Sequence, residues 1–316
     1  MTTKPKHFLD LADIAPEDLR AMIEVAKKWK AERAGLDKGA PDPDPILKGK
    51  ILALIFEQVS TRTRVSFDVG MRQMGGETMY LTGSELQLGR GEAVSDTARV
   101  LSRYVDAITI RTLSHDYLED LANSSSVPVI NSLTKRSHPC QLMADIMTFE
   151  EVKGPIEGAT ITWCGDANNN VATSWVHAAG KFNFKVRMAF ASGYGPDNET
   201  VAWARDNGVD LELTSDPVKG VAGVDAVVTD TWVSLGDEED VFARHRRLAP
   251  YQVTDELMSH AANDALFMHC LPAHRGEEMT ASVIDGKQSV VWDEAENRLH
   301  AQKAVLAWCF DKLPAV

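Results

Sequence analysis

Short apolar runs alternate with helix-forming segments through most of this 316-residue chain. Apolar runs at 51–56 and 107–110 belong to a first series, and a second series begins at 159–164 and continues to 265–270. This alternation is typical of βα units, which build a parallel sheet covered by helices. The sequence therefore predicts an α/β fold.

The two series predict two domains, since 316 residues exceed what one hydrophobic core of ordinary size needs. We expect a first domain over residues 1–150 and a second over 151–293. Helical patterns at Gln141–Val152 and in 294–316 predict a helix leaving the first domain and a carboxyl-terminal helix packing back on it. The predicted architecture is two α/β domains, each a parallel sheet flanked by helices, with linking helices.

Composition argues against several functional classes. A net charge of -13 disfavours a nucleic-acid surface, because phosphate backbones are bound by accumulated Lys and Arg. No apolar run approaches membrane-spanning length and the amino terminus lacks a signal-peptide core, so we expect no membrane association and a cytoplasmic location. The four cysteines are widely spaced without a CxxC pair, which predicts reduced thiols: Cys140, Cys164, Cys270 and Cys309.

A phosphate-binding pattern follows the first predicted strand. Ligands bind parallel sheets outside the carboxyl ends of the strands, and here the chain reads STRTR over 60–64 at a predicted helix start. Helix N–H groups, hydroxyls and the Arg62 guanidinium suit a phosphate dianion. The alternative is that Ser60 or Thr61 only caps the helix while the arginines face solvent.

Two further loops of the first domain carry polar residues. Arg111 ends a predicted buried strand, where a functional role competes with a simple salt bridge. His138 and Gln141 lie three residues apart at a helix start, so they could present a donor and an amide on one side and polarise a carbonyl. A lone histidine would more often be structural.

After its first predicted strand, the second domain lacks the glycines that a dinucleotide-binding fold carries at that position. Asp166–Asn170 occupies the place of a GxGxxG motif, and Asp166 would repel a pyrophosphate, so no NAD site is expected. The three asparagines indicate amide recognition of a zwitterion, or turn formation and helix capping.

A carboxylate and a thiol end two later strands of this domain. Asp230 and Cys270 could hold an amine and manage its proton, although a cysteine taken alone is more often a buried apolar residue. His269 and His274 have no carboxylate-rich neighbourhood in this interpretation, so neither a metal nor a cofactor is expected.

The order of these motifs resembles the ornithine carbamoyltransferase family from end to end: STRTR, Arg111, HPCQ, D-x-x-x-S-L-G over 230–236 and HCLPAHRG over 269–276. STRTR and HPxQ are similar to carbamoyltransferases generally, whereas the last two motifs resemble the branch that uses ornithine rather than aspartate. The family's ornithine loop usually reads S-M-G. Here Leu235 replaces the methionine, which leaves acetylornithine or putrescine open as the acceptor.

The resemblance implies transfer of the carbamoyl group of carbamoyl phosphate to the δ-amine of L-ornithine, giving L-citrulline and phosphate, as in arginine biosynthesis. A non-catalytic ligand-binding relative is the rival from another class. The resemblance also implies a homotrimer with sites between subunits and a cis peptide at Leu271–Pro272.

The resemblance further implies roles for individual residues. Arg111, His138 and Cys270 would be catalytic. The carbamoyl phosphate residues would be Ser60, Thr61, Arg62, Thr63, Arg111, His138, Pro139, Cys140, Gln141, Cys270, Leu271 and Arg298, with Gln87 contributed across a subunit boundary. The ornithine residues would be Asn170, Asp230, Ser234 and Leu235, with Asn169 as the neighbouring candidate.

Overall fold

The computed structural model describes residues 4–83, 92–233 and 241–315. It divides the chain into two compact units, unit 1 (Met1–Met147 with Glu296–Val316) and unit 2 (Thr148–Ala295). Each unit contains a parallel sheet flanked by helices, so the predicted α/β fold is confirmed.

Unit 1 is built on a four-stranded sheet. After a 3-10 turn at Leu11–Asp13, its elements are α1 (Pro16–Glu32), β1 (Ile51–Phe56), α2 (Thr61–Gln73), β2 (Glu77–Thr82), α3 (Val94–Leu101), β3 (Ala107–Arg111), α4 (His115–Ser124), β4 (Val129–Leu133) and α5 (Pro139–Lys153). All strands are parallel, in the order β2-β1-β3-β4. The strand order changes direction between β1 and β3, and in such sheets ligands bind beyond the carboxyl ends at that point.

Unit 2 is built on a five-stranded parallel sheet in the order β7-β6-β5-β8-β9. Its elements are β5 (Thr160–Cys164), α6 (Asn170–Phe182), β6 (Lys185–Ala189), α7 (Asn198–Asp206), β7 (Leu211–Thr214), α8 (Pro217–Val221), β8 (Ala226–Thr229), α9 (Val241–Leu248), a 3-10 turn at Ala249–Tyr251, α10 (Asp255–Met258), β9 (Leu266–His269) and α11 (Ala281–Ile284). The direction of the strand order changes between β5 and β8. The loops after β5, β8 and β9 are therefore where a ligand is expected.

The last helix, α12 (Val291–Cys309), starts in unit 2 and ends in unit 1. Within unit 1 it packs closely against α2, where a Cβ added to Gly70 would lie 3.2 Å from the Lys303 side chain. Lys303 is fully buried, and its ammonium pairs with Asp42 at 2.6 Å and donates to the Gln73 amide oxygen at 3.2 Å. A buried charge is tolerated when it is paired and hydrogen-bonded in this way.

Each unit has its own apolar core. Ile55, Ile108 and Leu118 belong to the core cluster of unit 1, and Val227 and Phe267 belong to that of unit 2. Full burial of such a side chain contributes about 1.5–3 kcal/mol, so these clusters stabilise the sheets that carry the polar loops.

Among the described residues, no helix combines the length and the apolar character that crossing a membrane requires.

Candidate active site

The segment after β1 starts α2 with a capped amino terminus. Ser60 has an extended backbone, and its hydroxyl accepts a hydrogen bond from the Thr63 backbone N–H at 3.4 Å. The outward N–H groups and partial positive charge of such a helix start favour an anion. The capping role and the anion-binding role inferred from the sequence are therefore compatible.

The sheet register places Arg111 beside the end of β1, at the carboxyl ends of the parallel strands. Phe56, the last residue of β1, pairs with Arg111, the last residue of β3. A register irregularity between Ile110 and Arg111 interrupts the pairing of β3 with β4 at this point. Irregular strand ends often redirect a side chain near a functional site. Arg111 is half-buried and lies at the sheet edge that also carries STRTR.

Arg298 of α12 connects the starts of α2 and α5 within unit 1. Its guanidinium donates to Thr63 Oγ1 at 2.8 Å and to Gln141 Oε1 at 2.9 Å. Gln141 in turn donates through Nε2 to Asp145 Oδ1 at 2.8 Å. All four side chains are buried. The two oxygens that accept from Arg298 are neutral and do not cancel its positive charge.

His138 is surrounded by positive charge. The side chain is buried, and burial together with the charges of Arg298, Arg111 and Arg62 holds the pKa of the imidazole well below 6.5. The ring is therefore neutral at neutral pH and has one N–H to donate. Arg298, Arg111 and Arg62 therefore all lie close enough to His138 for their charges to lower its pKa.

Pro139 and Cys140, the next two predicted site residues, also contribute to the fold. Pro139 is the first residue of α5, a position that proline favours because its missing N–H is not needed there. The Cys140 thiol donates to the Asn131 carbonyl at 3.3 Å, and burial raises the pKa of this thiol to about 12. A thiol with so high a pKa is chemically inert at neutral pH.

In unit 2, Asp230 accepts hydrogen bonds from residues that follow three strands of the sheet. Its Oδ2 accepts from the Asn169 side-chain amide at 3.1 Å, after β5. Its Oδ1 accepts from the Thr231 backbone N–H at 2.7 Å and from the Cys270 thiol at 3.3 Å, after β9. Asp230 and Cys270 are both partly exposed. A carboxylate and a thiol thus lie in contact with each other and accessible from outside.

Helix α6 begins within the run of three asparagines. Asn169 is its N-cap residue and accepts from the Val171 backbone N–H at 2.7 Å, while its amide group contacts Asp230. Asn170 is the first residue of the helix. Asn169 therefore caps α6 and at the same time donates a hydrogen bond to Asp230.

A buried histidine–glutamate pair holds the backbone after Cys270. His269 Nδ1 accepts from the Leu271 backbone N–H at 2.9 Å, which leaves Nε2 to donate to Glu278 Oε1 at 3.2 Å. Leu271 has φ of +59°, a left-handed conformation that non-glycine residues adopt only when their surroundings enforce it. The Leu271–Pro272 peptide is cis, as the resemblance implies.

Asp166 is engaged by the protein itself. Its carboxylate forms a buried ion pair with Arg244, whose Nε donates to the Trp232 carbonyl. Oδ1 of Asp166 also accepts from the Asn168 backbone N–H at 2.9 Å. These contacts order the loop after β5.

Three predicted site residues, Gln87, Ser234 and Leu235, lie outside the described residues. Sequence reasoning missed two supporting acids. Asp145 lies four residues after Gln141, a helical spacing that could have revealed it. Glu278 lies nine residues after His269 with no regular spacing to indicate the contact.

Comparison with protein families gives two matches that together span most of the chain. The carbamoyl-P binding domain of aspartate/ornithine carbamoyltransferase matches residues 6–151. The Asp/Orn binding domain of the same family matches residues 157–309.

Individual relatives are similar over nearly their whole length. The chain is 58% identical to an ornithine carbamoyltransferase of Rhodopseudomonas palustris (strain BisA53), covering 98% of this chain and 99% of that protein. The solved ornithine carbamoyltransferase from Pyrococcus furiosus superimposes with a TM-score of 0.90 at 48% identity, over 97% of both chains. The anabolic ornithine carbamoyltransferase from Campylobacter jejuni has a TM-score of 0.89 at 33% identity, over 97% of this chain and 99% of that chain.

Proposed function

The chain belongs to the aspartate/ornithine carbamoyltransferase family, and from this premise we propose that it transfers the carbamoyl group of carbamoyl phosphate to the δ-amine of L-ornithine. The products are L-citrulline and phosphate. We assign carbamoyl phosphate to unit 1 and ornithine to unit 2.

The observation that carries the proposal is the buried cluster in which Arg298 donates to Thr63 at 2.8 Å and to Gln141 at 2.9 Å, together with the lowered pKa of the buried His138. A phosphate dianion needs positive charge, and a carbamoyl oxygen needs hydrogen-bond donors as negative charge develops on it. Arg62, Arg111 and Arg298 supply the positive charge. The imidazole N–H of His138 supplies a hydrogen-bond donor. The hydroxyls and N–H groups at the start of α2, with the Gln141 amide, supply further donors.

The residues of unit 2 suit the amine. Ornithine attacks as a neutral amine, so a C–N bond forms, the C–O bond to phosphate breaks and the nitrogen must lose one proton. Asp230 lies 3.3 Å from the Cys270 sulfur and can accept the thiol proton, which allows the sulfur to take the proton from the amine. Asp230 can also pair with an ammonium group of ornithine. The proposal therefore includes two roles for Asp230, in proton transfer and in ammonium binding.

We assign ornithine to Asn170, Asp230, Ser234 and Leu235. Asn169 joins them because its amide donates to Asp230 at 3.1 Å. Asn169 therefore orients the carboxylate that meets the amine, which is a positioning role.

The acceptor is tested by measuring product formation with carbamoyl phosphate and, in parallel, L-ornithine, acetylornithine or putrescine. We expect kcat/KM to be highest for L-ornithine. A higher value for another amine would assign the protein to that acceptor and identify Leu235, in place of the usual methionine, as the first residue to exchange. Absence of turnover with every amine would favour a non-catalytic relative.

Two further features belong to the proposal. We propose a homotrimer, because unit 1 exposes large apolar side chains that association would cover, among them Val59 at 89% and Tyr104 at 70% exposure. We also propose a cytoplasmic location, in which reaction toward citrulline serves arginine biosynthesis. The wide spacing of the four cysteines, without a CxxC pair, supports a reducing compartment.

A further inference from the structure

The turn that follows Pro272 brings together three potential metal-ligand side chains. His274, Glu277 and Glu278 each offer one ligand atom, and these atoms all lie within 4.8 Å of one another. We propose that these three residues form a binding site for a divalent transition-metal ion, of which Zn²⁺ is the best probe. None of the three is assigned to either substrate, so the proposal does not depend on the proposed transferase activity.

Glu278 supplies the fixed ligand. The side chain is fully buried, and its Oε1 accepts both the His274 backbone N–H at 2.7 Å and His269 Nε2 at 3.2 Å. Its Oε2 is also buried but accepts no hydrogen bond from any described residue, and it lies 3.9 Å from His274 Nδ1. A buried carboxylate oxygen without a donor is costly. A cation between Oε2 and Nδ1 would compensate for that cost.

His274 and Glu277 supply the adjustable ligands. Their side chains are 49% and 40% exposed, so both can change rotamer without disturbing the core. Two ligands of a tetrahedral zinc lie about 3.4 Å apart, since each lies about 2.0–2.2 Å from the metal. Rotamer changes of these two exposed side chains can close the 3.9 Å between Glu278 Oε2 and His274 Nδ1 to that value.

The ligand chemistry selects the kind of ion. Two carboxylates balance the charge of a divalent cation, and one imidazole favours Zn²⁺, Co²⁺ or Ni²⁺ over Mg²⁺ and Ca²⁺, which prefer oxygen ligands throughout. Water would fill the remaining position.

His245 of α9 supports the site from outside. Its Nε2 lies 3.5 Å from Glu277 Oε2, and its ring packs edge-on against Trp232 with centroids 5.6 Å apart. Carboxylate ligands are commonly oriented by such a second partner. His245 is therefore placed to restrain the Glu277 carboxylate.

The experiment is a Zn²⁺ titration of the full chain by calorimetry. The ligand atoms of Asp230, His269 and Cys270 also lie within 4.8 Å of one another, so every variant is made in a Cys270→Ser background to remove the competing thiolate. His274→Ala and Glu277→Gln are compared with His260→Ala, which removes an exposed histidine of the same unit. Circular dichroism without zinc verifies that each variant folds.

We expect one Zn²⁺ per chain in the Cys270→Ser background. His274→Ala and Glu277→Gln should each weaken binding by about 10- to 100-fold or more, whereas His260→Ala should leave it unchanged. No zinc bound in the background protein, or equal affinity in the His274→Ala and His260→Ala variants, would overturn the proposal. Failure here leaves the transferase proposal standing, because citrulline formation is not the measured quantity.

Discussion

The Cys270 sulfur lies 3.3 Å from Oδ1 of Asp230, and the two residues directly follow neighbouring parallel strands, β9 and β8. The other carboxylate oxygen of Asp230 accepts the Asn169 amide at 3.1 Å. Asp230 is therefore positioned from two sides while remaining partly exposed. This arrangement suits a carboxylate that meets a cationic amine and exchanges protons with a thiol.

Replacing Asp230 by Asn should impair the use of ornithine alone. The substitution keeps the shape of the side chain and removes its charge, so an ammonium loses its partner. Asp230 is partly exposed, so we expect the low end of the range for such pairs, about 2 kcal/mol or a ~30-fold fall in kcat/KM for ornithine. Steady-state kinetics with ornithine measures this effect.

Binding of carbamoyl phosphate to the same variant should barely change, because the residues assigned to carbamoyl phosphate in unit 1 are untouched. Calorimetry with carbamoyl phosphate tests this half of the prediction. Equal weakening of both ligands would make Asp230 a structural residue and remove the basis for placing ornithine in unit 2.

Arg111→Ala should abolish most activity in a folded protein. The guanidinium lies half-buried at a strand end and acts on His138, so its loss removes a charge-assisted donor to a reacting anion. One such donor is worth about 10²–10³ in rate. The matched control is Arg72→Ala, which removes an exposed arginine of the same unit paired with Asp68. Near-normal kcat/KM in the Arg111 variant would contradict the assignment.

The grouping of Arg111 with STRTR could be predicted from sequence, because parallel strands end at one edge and both follow apolar runs. The contact of Asn169 with Asp230 could not. Adjacent asparagines cap helices and recognise ligands equally well, and the exact first residue of α6 makes Asn169 the N-cap residue whose amide donates to Asp230.

The carboxylates near His274 were not recognised from the sequence, where no carboxylate-rich neighbourhood was inferred. Glu277 and Glu278 are close in sequence, but their proximity to His274 depends on the turn after Pro272. Burial of Glu278 against His269 depends on packing that no local pattern encodes. His274, Glu277 and Glu278 lie within five consecutive residues, so the feature that the sequence could not reveal is the burial of Glu278.

Activity should be restored when two inactive variants are combined in one oligomer. The resemblance implies that Gln87 of one subunit contributes to the site of its neighbour. A trimer that contains both Arg111→Ala and Gln87→Ala chains therefore has a site in which both residues are native. Every trimer that contains both variants has one such site in three, because each site draws on two adjacent chains of the ring, so the isolated mixed species should recover about a third of wild-type activity. Co-expression with two different affinity tags isolates the mixed species.

Light scattering should give the mass of three chains for this mixed species and for the wild type. A fully active monomer would contradict the trimer. Mixed trimers as inactive as either parent would show that Gln87 acts within its own subunit.

His300 should make the protein sensitive to acid. Burial, followed by the positive charges of Lys303, Lys30 and Arg33, lowers the pKa of His300 from 6.5 to about 3. Above pH 6.5 the ring is neutral in both the folded and the unfolded chain. Below that pH the unfolded chain takes up a proton that the folded chain refuses, so the free energy of unfolding falls as the pH drops from 6.5 toward 3. The slope from this one group is at most about 1.4 kcal/mol per pH unit.

His300→Gln removes that titration. We expect the variant to lose less stability than the wild type between pH 7 and pH 5, even if its stability at pH 7 is lower. Urea unfolding at fixed chain concentration measures both values, and fixing the concentration removes the effect of assembly. His260→Gln, at an exposed histidine, should keep the wild-type slope. If His300→Gln and the wild type lose equal stability over this range, His300 is not the group that confers the acid sensitivity.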